Sequence, residues 1–180
     1  SNILAPLMEA INAPSIAANV EAIAAGAKPT FILTKPFFDA FVYMGGSGTT
    51  ICLIAAIFVA SKRKHYRSLA KLSAGPGLFN INESMIFGLP IVLNPIFLIP
   101  FILGPVIISV IAYLATASGL VPYTTIVIPW TSPPIIGGFL ATGGHIMGAV
   151  LSAVNLVICF LIYLPFVAMA ERLENKAQSK

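Results

Sequence analysis

The stretch GLFNINESMIFGLP, residues 77–90, contains the one acid in a long uncharged part of the chain. Between Leu72 and Ala170 there is no Lys, Arg or Asp, and the only carboxylate is Glu83. Apolar segments long enough to cross a bilayer follow it. An isolated acid in such surroundings costs at least a few kcal/mol, so it usually faces a polar partner or an aqueous cavity. We therefore expect a polar group to meet Glu83.

The composition predicts an all-α integral membrane protein. Of the 180 residues, 58% are hydrophobic and only 9% are charged, and the mean hydropathy is +0.95. A soluble domain needs about 25% charged residues to cover its surface. The apolar runs are continuous, unlike the alternating strands of about ten residues in an outer-membrane barrel. These features favour membrane-spanning helices.

The basic residues predict which parts of the chain face the cytoplasm. The net charge of +4 does not suggest nucleic-acid binding, because the basic residues flank apolar segments, where the positive-inside rule places cytoplasmic Lys and Arg. They form a cluster and a tail: Lys62, Arg63, Lys64, Arg67 and Lys71, then Arg172, Lys176 and Lys180.

Cys52 and Cys159 lack the spacing of a metal site or a redox pair, so no metal and no cofactor is predicted.

Hydropathy and turn-forming residues divide the chain into spans and broken segments. Broken apolar segments that line a cavity are read as re-entrant helical hairpins, because irregular backbone at membrane depth needs cover from protein or water. The predicted order is loops and short helices over 1–35, a span over 37–60, a re-entrant hairpin over 75–94, a span over 95–118, a second re-entrant hairpin over 119–144, a span over 146–168, and a cytoplasmic tail over 171–180.

The positions of the basic residues give these segments an orientation. If the cluster and the tail are both cytoplasmic, the chain crosses the membrane an even number of times between them. The first hairpin then enters from the cytoplasm and the second from outside, so that their tips meet near the midplane. Oppositely oriented broken segments around a midplane site are the geometry of a transporter.

Four residues are candidates for contact with a polar solute: Asn80, Asn82, Glu83 and Trp130. A carboxylate, two amides and an indole suit a sugar, which presents hydroxyls around an apolar ring face. Two alternatives stay open: the asparagines could instead bind backbone groups freed at the hairpin turn, and Trp130 could anchor at the membrane interface. Asp39 is expected to be interfacial and paired with Lys35, one helical turn earlier. The small-residue run 45–50 predicts close helix packing or local unwinding.

Two longer motifs carry a resemblance to a known family. The first is FNINE at 79–83 with IFGLPIVLNP at 86–95, and the second is PWTSPP at 129–134 with GFLATGG at 138–144. Both resemble signatures of the lactose/cellobiose/N,N′-diacetylchitobiose enzyme IIC permeases of the phosphoenolpyruvate-dependent phosphotransferase system. The resemblance extends over nearly the whole chain and matches the C-terminal part of such a permease. Because the chain starts with Ser1, we expect it to begin inside a longer protein.

The resemblance implies a homodimeric permease in the bacterial plasma membrane, surrounded by lipid, that binds a β-linked disaccharide and carries it across. A separate B component, itself supplied by an A component, then phosphorylates the 6-hydroxyl of the sugar from a phosphocysteine. Glu83 matches the family's carboxylate near this hydroxyl, where it can orient the hydroxyl and assist its deprotonation. Asn80 and Asn82 fall in the same motif, and Trp130 matches a tryptophan at the sugar site.

The chain departs from the family in two ways. Ser84 stands where the family usually has proline, and a family histidine at the sugar falls before Ser1. Two other functions fit the residues alone: an ion-coupled secondary transporter with Glu83 as proton carrier, and a membrane scaffold subunit whose polar residues only pack helices. The residues do not distinguish among cellobiose, lactose, diacetylchitobiose and related β-glucosides.

Overall fold

The computed structural model describes residues 4–27 and 29–178, with side chains from residue 13 onward except at 28, 174, 177 and 178. Within those ranges the chain is helical and has no β-strand, which confirms the all-α prediction. The α-helices are α1 (Leu4–Ala24), α2 (Lys35–Phe41), α3 (Thr50–Ala60), α4 (Lys64–Leu78), α5 (Glu83–Gly88), α6 (Pro95–Ala117), α7 (Ile136–Ala141) and α8 (Ile146–Gln178). Two 3₁₀ turns cover Ser47–Thr49 and Ile91–Leu93.

Two of these helices are long and apolar enough to cross a membrane: α6, with 23 residues, and the segment Ile146–Leu173 of α8, with 28 residues. At a rise of ~1.5 Å per residue, α6 is about 34 Å long, enough for the ~30 Å hydrocarbon core. Asn94 caps α6 by accepting the N–H of Ile96 at 3.1 Å, and Pro95 begins the helix, where no N–H is needed. Helix α6 matches the predicted span 95–118 to within one residue, whereas α8 begins with the predicted span 146–168 and continues to Gln178, into the predicted tail.

The N-terminal part differs from its prediction in two places. Residues 1–35 were expected to form loops and short helices, but α1 alone is 21 residues long, consistent with its many alanines. The expected span 37–60 is not one continuous helix. It breaks into α2 and α3 because Gly45, Gly46 and Gly48 have φ values of 77°, 89° and 73°, which no right-handed helix accommodates. Both interpretations of this glycine run are met: the backbone is locally unwound, and Gly48 packs so closely on α6 that a Cβ there would collide with the Phe101 ring.

Helices α4 and α5 pack as an antiparallel pair. The hydroxyls of Ser73 and Ser84 are 2.9 Å apart, and a Cβ added to Gly88 would collide with the side chain of Leu69. The pair turns at residues 79–82, which we call the hairpin tip. The hairpin expected over 75–94 is therefore shifted towards the N-terminus. The charges of residues 64–71 excluded them from an apolar segment, yet they form the first half of α4.

The segment 119–144 contains one short helix instead of a helical hairpin. Its first part is irregular and runs beside the end of α7, where Thr125 and Ile126 donate their N–H groups to the carbonyl of Ala141 at 2.9 and 3.3 Å. Helix α7 packs on α8 so tightly that a Cβ on Gly138 would meet the Ser152 hydroxyl and the Gly148 backbone. Proline at 122, 129, 133 and 134 explains why this stretch is not helical.

Helix α8 holds the broken part of the chain in place through polar side chains. Ser152 donates to the carbonyl of Ala40 at 3.1 Å, and Asn155 donates to the carbonyl of Phe41 at 3.0 Å; both side chains are completely buried. Tyr163, also buried, donates its hydroxyl hydrogen to the carbonyl of Gly48 at 2.6 Å. The end of α2 and residues 45–48, which we call the glycine turn, are thus fixed to a long apolar helix.

Candidate functional site

The glycine turn, the hairpin tip and the segment around Trp130 enclose a polar cavity of about 240 Å³, which we call the tip cavity. It is lined by Asp39, Tyr43, Gly46, Ser47, Asn80, Asn82, Glu83 and Trp130. The four residues singled out from the sequence therefore line one cavity, although up to 50 residues separate them along the chain.

Asn80 joins the three walls of the tip cavity. Its Oδ1 accepts the N–H of Gly45 at 2.6 Å, and its Nδ2 donates to the carbonyls of Trp130 and, at 3.2 Å, of Ser132. The residue has a φ of 63°, a left-handed conformation that asparagine tolerates better than most residues. Both Nδ2 hydrogens are engaged with the backbone. The geometry favours the structural alternative for this asparagine.

Asn82 fixes the hairpin tip to the glycine turn. It is only 6% exposed, and its Nδ2 donates to the carbonyl of Ser47 at 2.9 Å. Gly46 makes this approach possible, because a Cβ there would lie within 3 Å of the Asn82 amide and of the Asn80 carbonyl. No described residue donates a hydrogen bond to the Oδ1 atom of Asn82, which can therefore accept one from a hydroxyl.

Glu83 begins α5 at the edge of the tip cavity and is exposed. Among the described residues no side chain or backbone group bonds to its carboxylate, in contrast to the neighbouring asparagines. An ionised carboxylate offers about four lone-pair sites and no donor. Glu83 therefore presents a strong, unoccupied hydrogen-bond acceptor to whatever enters the cavity.

Asp39 is a second carboxylate of the tip cavity, and sequence reasoning did not assign it there. Lys35 forms the expected ion pair with it, with Nζ 2.6 Å from Oδ2. Tyr43, one turn further and 45% exposed, stacks on Phe38 and also lines the cavity. The Lys35–Asp39 spacing predicted the ion pair, but it could not predict that Asp39 lines the cavity. That position depends on the glycine turn, which brings the end of α2 beside the hairpin tip.

Trp130 contributes an aromatic wall to the tip cavity. Its side chain is 58% exposed, and its backbone carbonyl accepts the hydrogen bond from Asn80. Since Trp130 is held by its backbone, its ring is available to a solute. Among the described residues, no group of three or more His, Cys, Asp or Glu could hold a metal ion.

A helical chain with two potential membrane spans and a polar cavity between broken helices has the features of a membrane transport protein. Residues 1–105 match the family model described as phosphotransferase system, EIIC. The chain belongs to this family, which confirms the resemblance found in its motifs.

Several relatives extend over most of the chain. A lichenan permease IIC component of Bacillus subtilis (strain 168) is 41% identical over 180 residues, covering 99% of this chain and 40% of the relative. A cellobiose-specific EIIC component of Lactococcus lactis subsp. lactis (strain IL1403) is 50% identical over 138 residues, covering 77% of this chain and 28% of the relative. The chain thus spans two fifths or less of the length of these two relatives.

A solved structure has the same fold. The crystal structure of the transporter ChbC, the IIC component from the N,N′-diacetylchitobiose-specific phosphotransferase system, superposes with a TM-score of 0.86 at 38% identity. It covers 92% of this chain, and the match uses 39% of that chain. Family membership and the two long apolar helices agree that this is a membrane protein.

Proposed function

We propose that this chain supplies the tip cavity of an EIIC permease that binds a β-linked disaccharide and carries it across the bacterial plasma membrane. A separate B component, itself phosphorylated by an A component, then transfers a phosphoryl group from its phosphocysteine to the 6-hydroxyl of the sugar. The observation that carries the proposal is the unpaired Glu83 carboxylate in a cavity with an aromatic wall. The relatives named for cellobiose and N,N′-diacetylchitobiose support a β-linked disaccharide as substrate.

Glu83 is assigned to the sugar hydroxyl that becomes phosphorylated. Its carboxylate accepts the hydroxyl hydrogen, which turns an oxygen lone pair towards the phosphoryl donor. As the new P–O bond forms and the P–S bond of the phosphocysteine breaks, the hydroxyl proton passes to Glu83. This general-base role needs only hydrogen-bond reach, and in the part of the chain that the structure describes no cation bonds to the carboxylate.

The other residues of the tip cavity bind the sugar and hold the walls of the cavity in position. The ring of Trp130 covers an apolar face of a pyranose, while Asp39, held by Lys35, accepts further hydroxyls. Asn80 and Asn82 hold the walls together, and the Oδ1 of Asn82 is the atom left for a sugar hydroxyl. With these contacts the cavity accepts a neutral, hydroxyl-rich solute.

The membrane arrangement is also part of this proposal. The hairpin of α4 and α5 enters from the cytoplasm with its tip near the midplane, the segment 119–144 enters from outside, and a second copy completes a dimer within the lipid. Two contacts support a common side for the basic cluster and the tail. The N–H of Lys62 donates to the Glu171 carboxylate at 3.0 Å, and Arg63 donates to Asn175 Oδ1 at 2.8 Å.

Uptake by vesicles that contain the permease in its natural length tests the function. We expect uptake to require phosphoenolpyruvate with the phosphotransferase components and to yield phosphosugar. Glu83→Gln should weaken sugar binding roughly 10- to 100-fold, the loss expected for one hydrogen bond to a charged group. Glu21→Gln is the matched control, because Glu21 is exposed on α1 and does not line the cavity.

Two outcomes would overturn the proposal. Uptake that needs no phosphoenolpyruvate and stops with a proton uncoupler would make Glu83 a proton carrier. Sugar binding that is the same in Glu83→Gln and Glu21→Gln would leave the polar residues with a packing role only.

A further inference from the structure

A second cavity, of about 460 Å³, lies at the other end of the α4–α5 hairpin, and we call it the base cavity. It is lined by Arg63, Lys64, His65, Tyr66, Gly88, Leu89, Pro90 and Asn94. None of these is acidic and three carry basic side chains. Glu171, which bonds to the neighbouring Lys62, is not among them.

The backbone adds further donors to the base cavity. Helix α4 begins at Lys64, and no side chain caps its first turn. The N–H groups of Lys64 and His65 therefore have no acceptor within the helix. Cationic side chains at a helix N-terminus are electrostatically unfavourable, because this end of the helix carries a partial positive charge. Both features become favourable when an anion occupies the site.

We propose that the base cavity binds a phosphate group. The exposed side chains of Lys64 and His65 supply donors from α4. Asn94 supplies its amide from the start of α6, because its cap bond to Ile96 uses only Oδ1. Such donors from several directions suit a tetrahedral oxyanion. The phosphate comes either from the headgroup of an anionic lipid, which juxtamembrane basic clusters attract, or from a soluble phosphate.

A bound phosphate bridges three segments that meet at the base of the hairpin: the start of α4, the turn after α5 and the start of α6. Glu83 is at the other end of α5, only five residues from Gly88. At ~1.5 Å per residue the two are about 8 Å apart along the helix. We therefore expect occupation of the base cavity to stiffen α5, the helix that begins with Glu83.

The test uses the permease in its natural length, purified in detergent and in nanodiscs. Thermal unfolding is followed against inorganic phosphate, with equal ionic strength from chloride, and in phosphatidylglycerol against phosphatidylcholine nanodiscs. Lys64→Gln removes a positive charge from the lining, and His65→Gln removes the imidazole. Lys71→Gln is the matched control, because it removes one positive charge from an exposed position of the same helix outside the cavity.

We expect a saturable rise in the unfolding temperature of the native protein, and a roughly tenfold higher Kd in Lys64→Gln than in Lys71→Gln. A response to phosphatidylglycerol alone assigns the site to a lipid, and a response to inorganic phosphate as well assigns it to a soluble phosphate. The proposal is wrong if the native protein shows no saturable response to either, or if Lys71→Gln weakens the response as much as Lys64→Gln. Since the readout is unfolding, the result does not depend on the sugar.

Discussion

Replacing Asn80 tests whether the tip cavity exists because one side chain ties three segments together. Asn80→Ala removes the bonds to the N–H of Gly45 and to the carbonyls of Trp130 and Ser132. It also puts alanine at a φ of 63°. Asn80→Gly removes the same bonds and has no conformational penalty at this φ. The pair of variants separates hydrogen bonding from backbone strain.

The expected magnitudes follow from these contacts. A hydrogen bond between helices in a membrane contributes about 0.6 to 1 kcal/mol, so three bonds amount to about 2–3 kcal/mol. A left-handed alanine adds about 1 kcal/mol. We therefore expect Asn80→Gly to lower the free energy of unfolding by about 2–3 kcal/mol and Asn80→Ala by about 3–4 kcal/mol. Sugar affinity should fall at least tenfold in both, since the walls around Glu83 are no longer fixed to one another.

Unfolding in mixed micelles by titration with a denaturing detergent measures the first quantity, and calorimetric sugar binding measures the second. Asn19→Ala is the matched control. Asn19 is fully buried and bonds to the carbonyl and the N–H of Phe31 at 2.6 and 3.0 Å, away from the tip cavity. It should lose about 2 kcal/mol of stability and keep its sugar affinity.

Two patterns of results would contradict this role of Asn80. If Asn80→Ala binds sugar as well as Asn19→Ala does, the three walls hold their positions without Asn80. If the two Asn80 variants lose binding but no stability, Asn80 contacts the sugar directly, and the structural alternative is wrong.

Two further substitutions test the close contacts of the hairpin tip. Gly46→Ala should abolish sugar binding, because the new methyl group would collide with the Asn82 amide. Gly26→Ala is the control, because Gly26 also has a positive φ but has open space around it. It should cost only about 1–2 kcal/mol of stability and leave calorimetric sugar binding intact. Ser84→Ala should lower the unfolding temperature, because it removes the hydrogen bond to Ser73. Ser84→Pro should still fold and bind sugar, because proline is tolerated in a first helical turn. Aggregation of Ser84→Pro would contradict this expectation.

The sequence predicted features that depend on one residue type or one long run. The all-α class and helices α6 and α8 follow from apolar length, and Glu83 is visible because no other acid lies near it in sequence. Asp39 was assigned to an interface because its place in the cavity depends on the glycine turn that follows α2. The start of α4 was missed because its residues are charged, and charge alone does not separate a loop from an amphipathic helix.

The role of Asn80 could not be read from the sequence for a different reason. Its three partners lie 35, 50 and 52 residues away, so their positions depend on how the whole chain folds. The motif FNINE at residues 79–83 shows that polar groups occur together in an apolar part of the chain. It does not distinguish the amide that binds backbone from the carboxylate that has no partner. The two differ in how many of their lone pairs and hydrogens other groups of the folded chain already engage.

Hydrogen bonds from side chains also explain why the broken region between α2 and α3 is stable in an apolar chain. Opening a helix frees carbonyls that cost free energy unless another group bonds to them. Five side chains supply those bonds: Ser152 to Ala40, Asn155 to Phe41, Thr49 to Val42, Thr50 to Gly45 and Tyr163 to Gly48. With these carbonyls engaged, and with Asn80 and Asn82 binding the turn, Glu83 is left without a partner among the residues that the structure describes. The polar side chains that make the irregular backbone tolerable thus leave the Glu83 carboxylate of the tip cavity for a solute.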